Sequence, residues 1–486
     1  MKEFIKKYNI YFLFIPAILI IINNSFSHVI LPLDELWNFQ FVYKMYNGFT
    51  IYKDATVVTT PLFFMIGNIL FHIFGATINV FRLYNVFTYL LVYLLIFFIF
   101  RKLDINKNLA FLYLVSILTQ TYGIIGGGTS YNALCIAFIL LGILVHLNCY
   151  NQKRYNLYQG IIIFLIFFTK QSIGVFYAFG IVLFELVDKK FSKEFFVNQF
   201  KKFFCFLFPT ILFCLFMYIN GYFFDFVNYA FGGLLEFAHS NSSMHNRIFI
   251  FVFILVCICT LFIKTRKFLS EDQKRKTTFL FIMGMCASLI NLPLMNLAHM
   301  SYSYLVIYLS FFYILDITLI KHIVNTDKHY NYCNLCSFII LILTLLYIFS
   351  QTYASLLHLN KFEKTHPFYN APFSDRTIDG INVLTKYIER KNKYGFNVII
   401  IAPDSGYIMI PLKQSNGAFD LVLRGNLGYK GVEKLIEQIE ATKNTEFLMY
   451  TDDDKVFWQE PEEIREYIIN NLDKQGEILH YSIYAK

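Results

Sequence analysis

The chain has 486 residues, of which 57% are hydrophobic and only 15% are charged, and its mean hydropathy is +0.50. A soluble globular domain usually carries about 25% charged residues, so the composition excludes an ordinary soluble protein and a disordered chain. The net charge of +9 does not indicate nucleic-acid binding, because lysine and arginine lie in short clusters between apolar runs. These features are typical of a polytopic α-helical membrane protein.

The apolar runs predict about eleven membrane spans, which are 10–30, 79–100, 109–125, 131–148, 157–168, 173–187, 203–219, 247–263, 277–293, 304–320 and 333–350. With the N-terminus in the cytoplasm, the cytoplasmic segments hold 21 lysine and arginine residues and the external loops before residue 350 hold 3. This asymmetry predicts a multi-pass protein of the cell membrane with an external C-terminal domain.

Two segments leave the span assignment open. Residues 61–75 are apolar but short, and such a run is more often interfacial or re-entrant than spanning. Residues 157–187 could form one long span or a tight hairpin. A single span would bury Lys170 in the membrane at a high cost in free energy, so we favour a hairpin with Lys170 at its outer turn.

The chain is predicted to divide into three parts. Residues 1–350 form the transmembrane domain, with an external loop at 31–78 that holds juxtamembrane helices, and residues 351–376 form a linker. Residues 377–486 are predicted to form a small external α/β domain, because helical and strand patterns alternate there. The predicted helices are 377–391, 405–411, 430–441 and 461–472, and the predicted strands are 396–402, 446–451 and 476–484.

Asp34 and Glu35 follow directly on the first predicted span. Desolvation and mutual repulsion both raise the pKa of adjacent carboxyl groups at a membrane surface, and carboxylates near this depth are candidates for function. The alternative is structural: Asp34 could cap a helix over 35–47, where acidic residues are favoured by the helix dipole.

The residues that follow carry a resemblance to a known family. Asp34-Glu35 with Gly48, Tyr52, Asp54 and Thr60-Pro61-Leu62 resembles the first external loop of GT-C glycosyltransferases, in particular the protein O-mannosyltransferase and aminoarabinose transferase group. Later features follow in the family's order: Phe74-Gly75, Arg82-Leu83, the turn at 169–174 that contains Lys170, and His299 with Tyr302 and Tyr304. The implied fold is GT-C-like, with about eleven transmembrane helices and the external α/β domain.

The resemblance implies an inverting glycosyltransferase. It would move a hexosyl or pentosyl group from a polyprenyl-phosphate donor to an envelope acceptor, which could be a lipid, a glycan or a protein, at the outer face of the membrane. Asp34 aligns with the catalytic aspartate and Glu35 is its partner. The implied substrate-binding residues are Asp54, Arg82, Asn132, Lys170, His299 and Tyr302, with Lys170 and Arg82 as the candidate phosphate contacts.

Three positions depart from the family pattern. Trp37 and Thr60 stand where some relatives have an arginine and a lysine, and Asn132 stands where they have a second aspartate. An asparagine cannot act as a base and is a weaker metal ligand, although its amide can hydrogen-bond a donor. No metal ligand and no cofactor is therefore assigned, and the use of a divalent metal stays open.

Other functions remain as alternatives. A transporter or flippase of a lipid-linked glycan precursor usually has ionisable residues near mid-membrane and internally repeated halves, and neither is evident in the sequence. A glycan polymerase of another membrane fold would be expected to carry external arginines. A non-catalytic envelope protein that binds a partner through its tail lacks a supporting motif. The predicted partners are the lipid bilayer, the donor lipid and an unknown acceptor.

Overall fold

The computed structural model describes residues 14–27, 33–105, 128–234, 269–289, 297–317, 355–422, 426–451 and 461–486, with isolated positions between these ranges. The spans predicted at 109–125, 247–263 and 333–350 lie largely outside the described residues. The number of spans therefore stays a prediction.

The described residues fall into two compact units, each assembled from separate stretches of the chain. The helical unit takes its residues from 1–27, 85–213 and 243–354, and the mixed unit takes its residues from 28–84, 214–242 and 355–486. The main described helices are α1 Phe14–Phe26, α2 Leu33–Tyr46, α3 Leu62–Phe74, α4 Ile78–Lys102, α5 Tyr131–Cys149, α6 Tyr155–Thr169, α7 Gln171–Lys189, α8 Lys193–Ile219, α9 Phe223–Val227, α10 Glu271–Ser288, α11 Leu297–Leu315, α12 Asp375–Lys393, α13 Gly406–Leu412, α14 Gly431–Ala441 and α15 Glu462–Asn471.

Within the described part of the chain, four helices are long and apolar enough to cross a membrane: α4, α5, α7 and α8. They coincide with four of the predicted spans. Shorter apolar helices are found at Ala17–Phe26, Leu62–Phe74, Tyr155–Thr169 and Tyr304–Leu315. The chain therefore has the predominantly helical architecture of a membrane protein.

The segment 157–187 forms the helical hairpin that we favoured. Helix α6 ends at Thr169 and α7 begins at Gln171, because Lys170 adopts an extended backbone conformation with φ −156° and ψ 113°. The two helices approach closely where Gly174 lies against Phe167. A Cβ atom at position 174 would lie 2.5 Å from the Phe167 Cα, so the hairpin requires glycine there.

Helix α3 is the short apolar segment whose assignment was open. Its 13 residues rise about 20 Å, which is less than the ~30 Å hydrocarbon core of a bilayer. Its buried side contacts α2, where Gly67 lies against Val42, while Ile69 and Ile73 are exposed. The helix ends at Phe74, and Gly75 follows with φ +96°. These dimensions fit the interfacial or re-entrant interpretation.

The C-terminal part of the mixed unit contains a four-stranded sheet of β1 Asn397–Ile401, β2 Thr445–Tyr450, β3 Asp473–Ile478 and β4 Tyr481–Ala485. The strand order is β1-β2-β4-β3; β1 and β2 are parallel, whereas β4 is antiparallel to both its neighbours. Helices α14 and α15 contribute Leu435, Ile439, Ile464 and Ile468 to the core against this sheet. The sheet and helices have the predicted α/β character.

The prediction of one strand over 476–484 is wrong. The segment is a hairpin of β3 and β4 that turns at residues 479–480. Leu479 adopts φ +54°, which is unusual for a bulky residue and which allows the chain to reverse. Leu479 and His480 are not typical turn residues, so the sequence does not mark the break.

Residues 358–373, within the predicted linker, form a compact turn organised by Asn360. Its Nδ2 donates to the Phe368 and Ala371 carbonyl oxygens at 2.7 and 2.8 Å. The same turn contacts the first residue of α4, because the Ile78 N–H donates to the Pro367 carbonyl at 2.8 Å. This stretch therefore packs within the mixed unit.

We expect Gly174→Ala to destabilise the helical unit by about 1–3 kcal/mol, because the added methyl group meets the Phe167 backbone. Thermal unfolding of the purified protein measures the effect. Gly380→Ala on α12 is the control, since the nearest atom would be the Leu479 Cδ1 at 4.0 Å. The control should be neutral or stabilising, and an unchanged melting temperature for Gly174→Ala would contradict the prediction.

Candidate functional site

Helix α2 is enclosed over most of its length, although it belongs to a loop that is predicted to be external. Every residue from Glu35 to Lys44 is buried. Asp34 and Glu35 occupy its first turn, where the helix dipole favours negative charge. The helix begins at Leu33 rather than at 35, so Asp34 lies within the first turn and is not the residue before it.

The two carboxylates have different environments. Asp34 is exposed, whereas the side chains of Glu35 and Arg82 are both 0% exposed. Arg82 donates from Nη2 to Glu35 Oε2 at 3.3 Å. Glu35 is therefore held in a buried ion pair with Arg82 of α4. Of the two adjacent carboxylates, Asp34 is the one that is exposed. The predicted role of Arg82 at a phosphate stays a prediction.

The loop after α2 contains three residues of the family-like pattern, Gly48, Tyr52 and Asp54. Gly48 has φ +89°, and Tyr52 has φ +73° although it is not glycine. The Tyr52 hydroxyl donates to the Thr59 carbonyl at 2.6 Å, and burial raises the pKa of this phenol. Asp54 Oδ2 accepts from the Thr50 N–H at 2.7 Å. Backbone strain of this kind persists only where the surroundings hold it, so the loop has a fixed shape.

In the helical unit, the structure brings two predicted site residues together. Asn132 is held at the start of α5, where its N–H donates to the N-capping Ser130 hydroxyl at 3.1 Å. Lys170 donates from Nζ to Asn132 Oδ1 at 3.0 Å and lies 5.1 Å from the centre of the Tyr131 ring. Asn132 is uncharged, so this contact orients the ammonium group without neutralising it.

The remaining predicted residues lie on α11. Tyr302 is buried in the core of the helical unit. The His299 side chain lies outside the described residues.

A buried polar network that the sequence did not predict joins α2 to the C-terminal part of the mixed unit. Lys44 forms an ion pair with Asp420, and their side chains are 6% and 0% exposed. Gln40 donates to Asp420 Oδ1 at 3.2 Å, and Lys44 donates to the Ser415 hydroxyl at 2.9 Å. Burial lowers the pKa of the Lys44 ammonium, and the carboxylate of Asp54 opposes this shift. In the sequence, the indication of this network is that Gln40 and Lys44 are four residues apart, so that their side chains lie on the same face of a helix.

Among the residues that the structure describes, no three histidine, cysteine, aspartate or glutamate side chains are grouped closely enough to hold a metal ion. The carboxylate of Glu35 is already paired with Arg82.

No family model and no curated protein matches the chain. The fold is similar to that of ArnT from Cupriavidus metallidurans bound to undecaprenyl phosphate, with a TM-score of 0.59 and 11% identity over 98% of both chains. The structure of ArnT from the same organism in the apo state has a TM-score of 0.58 and 10% identity, and the match covers 98% of this chain and 97% of that one. The oligosaccharyltransferase of Archaeoglobus fulgidus, in complex with zinc and sulfate, has a TM-score of 0.50 and 12% identity. That match covers 90% of this chain and 67% of that one. These similarities show that the chain shares its overall fold with ArnT and with this oligosaccharyltransferase.

We expect Arg82→Met and Asp34→Asn to differ sharply in stability. Removing Arg82 takes the guanidinium charge away from the buried Glu35 carboxylate, which should cost about 3–5 kcal/mol. Asp34 is exposed at a helix N-terminus, so its substitution should cost less than about 1 kcal/mol. Thermal unfolding in detergent measures both. Equal losses in the two variants would contradict the different environments of the two carboxylates.

Proposed function

We propose that this protein is a membrane glycosyltransferase that moves a sugar from a polyprenyl-phosphate donor to an envelope acceptor at the outer face of the membrane. The observation that carries the proposal is the exposed carboxylate of Asp34 beside the enclosed Glu35–Arg82 ion pair. It occurs in a chain whose fold is similar to that of ArnT, a protein with a structure bound to undecaprenyl phosphate.

In this proposal Asp34 is the general base. Its carboxylate takes the proton of the acceptor hydroxyl as the acceptor oxygen bonds to the anomeric carbon of the sugar. The bond from that carbon to the phosphate oxygen breaks, and the polyprenyl phosphate leaves with the electron pair. One direct displacement inverts the anomeric centre, unlike the two-step route through a covalent intermediate. Glu35 is less suited to be the base, because it is enclosed and paired with Arg82.

The Lys170 region supplies the groups proposed to bind the phosphate. Lys170 immediately precedes α7, a helix of 19 residues, and helix N-termini favour anions through their N–H groups and dipole. An ammonium group adds a charge-assisted hydrogen bond to a phosphate oxygen. Asn132 holds the Lys170 side chain, so we assign it an orienting contact and leave its amide as a donor toward the substrate.

The proposed orientation has the N-terminus in the cytoplasm, and the loop that follows α1 and the C-terminal part outside. It is supported by the 21 lysine and arginine residues in the segments assigned to the cytoplasm, against 3 in the external loops before residue 350. The same orientation puts Asp34 on the side where lipid-linked sugars are proposed to be used.

We expect Asp34→Asn to lower sugar transfer by about 10²- to 10⁴-fold, the usual contribution of a general base. Cells that lack the protein would be complemented with each variant, and their lipids and envelope glycans compared by mass spectrometry. The expected deletion phenotype is accumulation of a polyprenyl-phosphate sugar and loss of that sugar from an acceptor, with rescue by wild type only.

Asp375→Asn is the matched control, because Asp375 is also an exposed acid in the first turn of a helix, and it should rescue fully. Full rescue by Asp34→Asn would make Asp34 a helix-end carboxylate and end its catalytic assignment. A deletion that changes no lipid-linked sugar or acceptor would favour the transporter or flippase alternative.

We expect Lys170→Met to weaken binding of undecaprenyl phosphate to the purified protein by about 10- to 100-fold, since one charge-assisted hydrogen bond is lost. Lys274→Met is the control, because Lys274 pairs with the exposed Glu271 on the surface of α10. Unchanged binding by Lys170→Met would remove Lys170 from the phosphate site, whatever happens to transfer.

A further inference from the structure

We propose that Asp420 is a positioning residue for the proposed reaction: it acts through Lys44 and Gln40 to fix the register of α2, and so the place of Asp34. The catalytic half of this inference rests on the proposed function. The structural half, that Asp420 holds α2, stands on contacts within the mixed unit alone.

The first step is the environment of the Asp420 carboxylate. It is 0% exposed, and a carboxylate removed from water needs its oxygens satisfied. Oδ1 accepts from Gln40 Nε2 at 3.2 Å and from the Asn416 N–H at 3.3 Å. Oδ2 faces the Lys44 ammonium and lies 3.1 Å from the Ser415 hydroxyl. Two of these partners belong to α2, so the carboxylate cannot be satisfied unless α2 is in place.

The second step is the extent of the contact along α2. The Trp37 indole N–H donates to the Pro403 carbonyl at 2.6 Å. Gly406 fits so closely that a Cβ there would lie 2.9 Å from Gln40 Oε1. Residues 37, 40 and 44 are spaced three and four apart and therefore lie on one face of the helix. We call the segment that contacts this face, residues 403–420, the clasp.

The third step is the opposite side of α2. Phe39 packs against Phe71 of α3 and Phe81 of α4, with ring centres 5.7 Å apart in each pair. The Glu35–Arg82 ion pair adds a polar contact at the N-terminal end. With the clasp on one side and α3 and α4 on the other, a rotation or axial shift of α2 would break contacts on both.

The fourth step is the reason why an ion pair positions α2 better than a pair of apolar side chains would. A buried ion pair contributes little net stability compared with a well-packed apolar pair, and its best-attested role is to select one arrangement. Asp420 meets Lys44 in a single register, whereas apolar side chains could slide by part of a turn. The Lys44–Asp420 pair therefore fits a positioning role, and a displacement of about 1 Å can cost on the order of 10²-fold in rate.

The test compares Asp420→Asn with Lys391→Met in the purified full chain. Lys391 pairs with the buried Glu446 elsewhere in the same C-terminal part, through side chains that are 31% and 5% exposed. Neither residue belongs to the clasp. Hydrogen exchange of the peptide covering α2 reports its fixation, and kcat and KM for a polyprenyl-phosphate sugar report the chemistry.

For Asp420→Asn we expect exchange in α2 to accelerate about tenfold or more and kcat to fall about 10- to 100-fold, with KM changed less than about threefold. Lys391→Met should leave α2 exchange and kcat at wild-type values even if it lowers the melting temperature.

Unchanged exchange in α2 would overturn the inference regardless of activity, and faster exchange with unchanged kcat would overturn the positioning role. If wild type transfers no sugar but Asp420→Asn still loosens α2, the structural half stands and the proposed function fails. If Asp420→Asn does not fold, the double variant Lys44→Met with Asp420→Leu supplies an apolar pair. It should fold with reduced kcat, and full activity would overturn the inference.

Discussion

The ion pair between Glu35 and Arg82 is enclosed completely, and the arrangement of the candidate site depends on it. It joins the first turn of α2 to α4 and gives the two adjacent carboxylates different environments. Because the charge of Glu35 is balanced by Arg82, Asp34 does not stand beside a second uncompensated anion. The proposed base and a buried, paired carboxylate thus occupy neighbouring positions in the sequence.

Helix α2 carries polar side chains at positions that are usually apolar in a buried helix. Asn38, Gln40 and Lys44 are all buried, and burying such groups is costly unless they are hydrogen-bonded. The clasp supplies partners for Gln40 and Lys44 from residues that lie more than 370 positions later in the chain. The loop that holds Asp34 and the C-terminal part are therefore one structural entity, although the sequence separates them by most of the membrane spans.

Several features could be predicted from local chemistry. The cost of burying Lys170 predicted the break between α6 and α7, and the alternation of periodicities predicted the helices and the first two strands of the C-terminal sheet. The β3–β4 hairpin was missed because Leu479 and His480 are not typical turn residues. The different environments of Asp34 and Glu35 depend on Arg82, which is 47 residues from Glu35, and no local sequence pattern reports a contact of that range.

Because α2 and its clasp are far apart in the sequence, the ribosome also makes them at different times. Trp37 and Pro403 are 366 residues apart, so at about 5–20 residues per second the ribosome makes Pro403 roughly 20–70 seconds after Trp37. During that interval the spans can enter the membrane, while Gln40 and Lys44 lack the groups that satisfy them in the finished protein. Under the proposed function, the nascent chain would become competent for transfer only after the clasp has been made, and this delay would keep shorter copies from acting on donor lipids.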